Sequence, residues 1–232
     1  MTGITVITPT GGRPEAFALC ESWMRRQTWT GGIQWIVVDD CLPETACTMG
    51  QEIVRPRPAW QPGESTQARN LLAAFPFIRN GKVAIFEDDD MYAPAYLEIA
   101  ASRLDAAPLV GERNARYYNV ASRQYLTCPN AKHSSLCQSA FRIEVVPTLA
   151  AICERVKKFI DIELFRTWPD HRLYDNSGTC IGIKGMPGRV GVGIGHRNGA
   201  HAGWKPDLDL TMLRSWIAED AETYRVYGER SC

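Results

Sequence analysis

The feature that most constrains the fold is an apolar tetrad that runs straight into four carboxylates: Val83-Ala84-Ile85-Phe86, then Glu87-Asp88-Asp89-Asp90. The tetrad reads as a buried strand, so the acids emerge at its carboxyl end. Four adjacent carboxylates repel one another and call for a compensating positive charge. Open α/β sheets bind ligands beyond the carboxyl ends of their strands. A hard divalent cation carrying phosphates is the natural counter-charge in such a place. Taken alone, the run also fits a solvated turn before a helix that begins near Pro94.

The neighbouring segments repeat the pattern. Ile4 to Thr8 reads as a strand, Pro9 to Arg13 as a turn, and Pro14 as the first turn of a helix, where a missing N–H costs little. Phe17, Cys20 and Met24 then form one helical stripe. A second strand, Gln34 to Val38, ends at Asp39-Asp40, again placing carboxylates at a strand's carboxyl end. The proline-rich stretch 55–64 is an irregular connection. Ser65 or Thr66 caps a helix carrying Ala68, Leu71, Leu72 and Phe75, and a third helix carries Leu97, Ala100, Ala101 and Leu104. Three strands alternating with three helices over residues 1–105 predict an α/β fold with a mostly parallel sheet.

The second half is less regular. A hairpin is expected from segments near 116–121 and 124–128, a mixed apolar region at Phe159 to Leu164, and one late helix carrying Leu213, Trp216, Ile217, Ala221 and Tyr224. Between Asn176 and Pro206 there is no acidic residue. That stretch holds nine glycines together with Lys184, Arg189, Arg197, Lys205, His196 and His201. A cationic, glycine-rich segment suits closure over an anion such as a diphosphate. It also suits a solvated surface loop.

Composition narrows the class. A chain of 232 residues with 45% hydrophobic and 22% charged residues has the make-up of a globular enzyme. Its length suits one domain over 1–232. The net charge is zero, so no global field selects nucleic acid or membrane. No apolar run approaches the length of a membrane span, and the N-terminus lacks the pattern of a signal peptide. A cytoplasmic protein with reduced thiols is therefore expected. The eight cysteines include no CxxC pair, which argues against a zinc site.

Four segments, in order, resemble the family 2 inverting glycosyltransferases, which have the GT-A fold. They are Ile4 to Thr10 with Arg13-Pro14; Trp35 to Asp40; Ala68-Arg69-Asn70 ahead of Val83 to Asp90 and Pro94; and Asp161 in its Phe/Ile-rich segment with a later histidine. The resemblance implies a nucleotide-sugar-binding half, 1–105, and an acceptor-side half, 106–232. It also implies a reaction, in which a nucleoside-diphosphate sugar, a UDP-sugar above all, passes its sugar to an acceptor hydroxyl with inversion. Thr8, Thr10 and Arg13 then lie where the first strand opens onto the nucleotide. Asp40, or Asp39 beside it, accepts from a pyrimidine N–H, and Arg69 lies near the nucleotide or pairs with the acids.

The family's Asp-x-Asp-Asp pattern, counted back from Pro94, puts Glu87 first and Asp89 at the metal, with Asp88 toward the ribose or a metal-bound water. A shifted register uses Asp88 and Asp90, which alternate onto one face of an extended strand. An oxygen-rich set suits Mn²⁺ or Mg²⁺ rather than zinc. His196 matches the late histidine that reaches the metal or phosphates, and His201 competes with it. Asp161 matches the base that deprotonates the acceptor, and an Asp there also suits a helix N-cap.

The default acceptor is a glycan or small aglycone. A hydroxymethylated base in DNA is a second acceptor, supported by the basic run 184–205, by Arg55 and Arg57, and by Trp60, Tyr117 and Tyr118 as stacking surfaces that equally suit a core. Two other classes compete. A nucleotidyltransferase would show a fuller glycine-rich loop than Thr10-Gly11-Gly12-Arg13-Pro14, and a non-catalytic glycan-binding domain would not need Asp89 and Asp161.

Overall fold

The computed structural model describes residues 3–191, 196 and 203–229. In chain order the strands are β1 (Ile4–Thr10), β2 (Ile33–Asp39), β3 (Glu52–Val54), β4 (Lys82–Ile85), β5 (Met91–Tyr92), β6 (Leu109–Arg113), β7 (Ala115–Asn119), β8 (Gln124–Cys128), β9 (Ser139–Arg142), β10 (His171–Asp175), β11 (Cys180–Lys184) and β12 (Lys205–Pro206). The helices are α1 (Pro14–Arg25), α2 (Gln67–Ala74), α3 (Tyr96–Arg103), α4 (Val146–Arg155), α5 (Ile160–Thr167), α6 (Thr211–Ile217) and α7 (Glu222–Glu229).

A seven-stranded sheet in the order β10-β6-β9-β4-β1-β2-β3 forms the centre. β1 pairs in parallel with both β2 and β4, β2 pairs in parallel with β3, and β9 runs antiparallel between β4 and β6. The mostly parallel α/β architecture matches the sequence expectation. The register sets Thr10 opposite Asp39, and Ile7 opposite both Ile36 and Ile85. The carboxyl ends of β1, β2 and β4 therefore open onto one edge of the sheet.

Strand alternation divides the core. Ile7, Ile36, Val38, Val83 and Ile85 face Leu71 of α2, Leu149 of α4 and Leu164 of α5. Val6, Trp35, Val37, Ala84 and Phe86 face Phe17 and Trp23 of α1, Leu97 of α3, Leu213 of α6 and Tyr224 of α7. With both faces covered, these strands read as nearly continuous apolar runs.

A second sheet, β12-β8-β7-β11-β5, meets the first where the acidic run lies. β4 belongs to the large sheet and β5 to the small one, so residues 87–90 form the joint between them. An aromatic stack fixes this joint. The Phe86 and Tyr92 rings lie 3.8 Å apart and nearly parallel, and the Tyr96 ring meets both edge-on. The Glu87 backbone N–H donates to the Tyr92 hydroxyl at 2.8 Å, and that hydroxyl reaches the Ile85 carbonyl at 3.4 Å.

The expected hairpin is present as β7 and β8. Several expectations need correction. The second half is not only hairpin, mixed region and late helix, since β6, β9 and β10 complete the main sheet. The stretch 176–206 is not all loop: Cys180–Lys184 is a buried strand pairing with β7 and β5. Its alternation of apolar residues with Gly182 follows from packing, since a Cβ at 182 would strike the Tyr117 ring. The mixed region at 159–164 begins α5. The single late helix is broken after Ile217, where Ala218 takes a left-handed φ of 50°, and restarts at Glu222. Among the described residues no helix is long and apolar enough to cross a membrane.

Tyr92→Phe removes the buried hydroxyl and leaves the Glu87 N–H without a partner. It is expected to cost about 1–3 kcal/mol of stability, read as a lower urea midpoint with an unchanged slope.

Candidate active site at the sheet edge

The four carboxylates of the run take different partners, except that Asp88 and Asp89 share Arg13. Asp88 is buried. One of its oxygens accepts from Thr10 Oγ1 at 2.7 Å and the other is paired with Arg13. Arg13 also donates to Asp89 at 2.8 Å. Asp90 accepts the Ile183 N–H at 2.7 Å and faces Lys184 Nζ at 3.3 Å. Glu87 accepts from Gln67 Nε2, at the start of α2, at 2.6 Å. Asp88, Asp89 and Asp90 are all within 5% of full burial.

Electrostatics separates these groups. Burial, reinforced by Asp90, pushes the Glu87 carboxyl up to about 8. Burial also lifts Asp88 to about 6, against the pull of Arg13, and raises Asp90 against the pull of Lys184. At Asp89 burial is outweighed by Arg13, then Lys184 and His196, and the carboxyl is held at about 2. Arg13 and Lys184 stay charged despite burial, because the acids surround them. Burial and then Lys184 bring the His196 imidazole down to about 3, so it is neutral at pH 7.

Four carboxylates faced by two permanent cations leave two negative charges when every acid is ionised. That deficit matches one divalent cation, and the donor atoms fit one. The Glu87 and Asp90 carboxylates and the Cys137 sulfur bring ligand atoms within 4.8 Å of one another. One buried Asp90 oxygen has no hydrogen-bond partner. His196 Nε2 stands 3.7 Å from Asp89, too far for a direct hydrogen bond. Cys137 is held as a protonated thiol by its hydrogen bond with Cys180 and by burial, so the carboxylates dominate the set.

A second centre lies on β2. Asp39 turns away from the edge and braces the following loop, accepting from the Thr45 N–H at 2.7 Å and the Thr45 hydroxyl at 3.1 Å. Asp40 turns toward α2. One of its oxygens takes Asn70 Nδ2 at 2.8 Å, Arg69 at 3.4 Å and the Thr66 hydroxyl. The other takes Arg189 Nη1 at 2.6 Å. Thr66 is the N-cap residue of α2, as expected, but its hydroxyl goes to Asp40 and caps no helix N–H. Arg69 pairs with Asp40 rather than with residues 87–90.

Thr8 is fully buried, and its hydroxyl accepts from Trp35 Nε1 at 2.9 Å on the α1 side of the sheet. Tyr118 is core, while Tyr117 lies 5.8 Å from Lys184 across its ring. Asp161 sits in the first turn of α5, where burial raises its carboxyl and the Ile162 N–H and His133 act against that rise. Phe159, with φ of 57°, starts that turn. The loop before α5 is tied to the one before α2, since Ser65 Oγ donates to the Lys157 carbonyl at 3.0 Å. Arg197 and His201 lie outside the described residues.

The sequence reading assigned Lys184 and Arg189 to a segment that closes over an anion, not to salt bridges within the site. It did not single out Gln67 or Cys137. The one available signal for Lys184 was an apolar strand, Cys180 to Ile183, ending in a lysine with no acid nearby in sequence.

No protein-family model and no curated protein matches the chain. Solved structures do. S. aureus TarS aligns with a TM-score of 0.58 and 11% identity over 78% of this chain and 36% of its own. TarS 1-349 in complex with UDP gives 0.58 and 12% over 78% of this chain and 60% of its own. The complex of TarS 1-349 with UDP-GlcNAc gives 0.55 and 11% over 99% and 72%. The chain thus spans about a third to three-fifths of the first two. The likeness is one of fold: an α/β architecture with a mostly parallel central sheet, shared with TarS.

The pKa shifts set a pH dependence for the metal-free protein. Glu87 titrates near 4.5 in the unfolded chain and at about 8 when folded. From about pH 5 to 8 the unfolded state gives up this proton and the folded state keeps it, so stability falls as pH rises. Asp89 works in the opposite sense at low pH, losing its contribution as pH drops from 3.8 toward 2. Glu87→Gln is expected to flatten the decline between pH 5 and 8, measured by denaturant titration in the presence of a chelator.

Proposed function

We propose that the chain is a metal-dependent inverting glycosyltransferase, built as one catalytic domain, that uses a nucleoside-diphosphate sugar, a UDP-sugar in the first place. The observation that carries this reading is the buried carboxylate cluster at the carboxyl edge of a parallel sheet, two charges short of neutrality, on a fold shared with proteins crystallised with UDP and UDP-GlcNAc.

In this reading Mn²⁺ or Mg²⁺ would be held by Asp89 with His196, or by Glu87 and Asp90 beside Cys137. The ion supplies charge neutralisation for the departing diphosphate. Asp88 keeps Arg13 and Thr10 in place, and Arg13 and Lys184 add fixed positive charge where the leaving group develops its own negative charge. Asp40 accepts an in-plane N–H of the base, supported by Arg69 and Asn70. Asp161 takes the proton from the attacking acceptor hydroxyl, and its raised carboxyl pKa makes it a stronger base than an exposed aspartate. A glycan or small aglycone is the acceptor.

The test is UDP release from a UDP-sugar panel with Mn²⁺. Asp89→Ala is expected to lower release by about 10²–10³-fold. Asp161→Asn is expected to lower transfer to an acceptor by about 10²–10⁴-fold while UDP binding is retained. A protein that neither binds nor turns over any nucleotide sugar in the presence of Mn²⁺ or Mg²⁺ is not a glycosyltransferase.

A further inference from the structure

Arg189 stands out because it reaches the donor side from 149 residues away in sequence to occupy Asp40. Its guanidinium lies 4.5 Å from the centre of the Trp60 ring. Its Nη1 donates to Asp40 Oδ1 at 2.6 Å, and its Nη2 donates to Thr66 Oγ1 at 2.5 Å. A planar group stacked on an indole, with in-plane N–H groups on a buried carboxylate, has the shape and donor pattern of a nucleobase.

The surroundings divide into a fixed seat and a removable occupant. Asp40 Oδ2 is filled by local donors from α2 and its N-cap, namely Thr66, Arg69 and Asn70. Oδ1 accepts from Arg189. Trp60 is anchored independently of Arg189. Its backbone N–H donates to the Asp40 carbonyl at 2.6 Å, and its ring N–H donates to the Glu64 carbonyl at 3.1 Å. Arg69 ties the preceding residue pair down through the Pro58 carbonyl at 3.0 Å.

Arg189 is delivered by a close backbone contact. The Arg189 N–H donates to the Gly12 carbonyl at 3.0 Å. Gly188 has φ of +100°, and a Cβ there would collide with the same carbonyl. Gly188 and Arg189 therefore rest directly on the turn after β1 at Gly12 and Arg13.

We infer that Trp60 and Asp40 form a nucleobase seat and that Arg189 fills it as a built-in surrogate, so that a keto base with an in-plane N–H (uracil, thymine or guanine) binds only by displacing Arg189. The inference rests on the donor-site reading above and adds to it a competitor and a stacking platform. A base whose ring nitrogen is an acceptor at that position, as in cytosine, sets a lone pair against the carboxylate and keeps only its exocyclic amine as a donor, so it replaces the guanidinium poorly.

The experiment is calorimetric binding of UDP, CDP and uridine, with Mn²⁺, to the full chain and to Arg189→Ala, Arg189→Lys and Trp60→Ala. Removing the surrogate is expected to tighten UDP about tenfold and uridine by the same factor, since the competition is at the base and not at the phosphates. Arg189→Lys keeps the charge but not the plane and is expected to fall between wild type and Arg189→Ala. Trp60→Ala is expected to weaken both ligands, and CDP to bind more weakly than UDP throughout. If wild type binds UDP but Arg189→Ala binds it equally or more weakly, the surrogate is wrong and the donor-site reading stands. If no variant binds any nucleotide, both fail. Arg189→Lys keeps the test valid should the alanine variant not fold.

Discussion

Enclosing four consecutive carboxylates, three buried and Glu87 half-buried, is the constraint around which this molecule is organised. Such a cluster is stable only when opposite charge and hydrogen-bond donors are brought to it from elsewhere in the chain. Arg13 arrives from the turn after β1, Lys184 from the end of β11, Thr10 from the end of β1 and Gln67 from the start of α2. Each of these elements is placed by the sheet order. The second sheet has a clear role in this light, because β11 pairs with β5 immediately after the acidic run and carries Lys184 onto it.

The compensation is incomplete, and that incompleteness gives the site its chemistry. Two cations do not balance four acids. The remainder is met by protons on the carboxyls that burial has raised, or by a divalent ion that replaces those protons. The same edge holds a second buried carboxylate, Asp40, balanced mainly by Arg189 and Arg69. In the proposed function, metal-phosphate chemistry and base recognition draw on one physical device: a carboxylate at a strand's end that exchanges an internal partner for a ligand.

Much of the scaffold was legible in the sequence because the signals are local. Apolar runs ending in acids marked β2 and β4, the Ile4 to Thr8 run before its Pro-Gly turn marked β1, and the i, i+3, i+7 stripe of Phe17, Cys20 and Met24 marked α1. What escaped was set by long-range pairing. Lys184 meets Asp90 across 94 residues and Arg189 meets Asp40 across 149, and no periodicity reports such partners. The glycine content of 176–206 suggested a loop, whereas Gly182 is there because the Tyr117 ring lies against β11. The choice between Asp39 and Asp40 was equally closed to sequence reading. It depends on which carboxylate turns toward Thr45 and which toward α2.

Without a cation, the raised carboxyls of the cluster hold protons that a bound cation would displace. Counting protons released on Mn²⁺ binding tests this most directly, by calorimetry at pH 7 in buffers of different ionisation enthalpy. With Glu87 at about 8 and Asp88 at about 6, the account predicts release of about one proton per Mn²⁺ bound, with release lost in Glu87→Gln. Saturable Mn²⁺ binding with no proton release, or no binding at all, would contradict it.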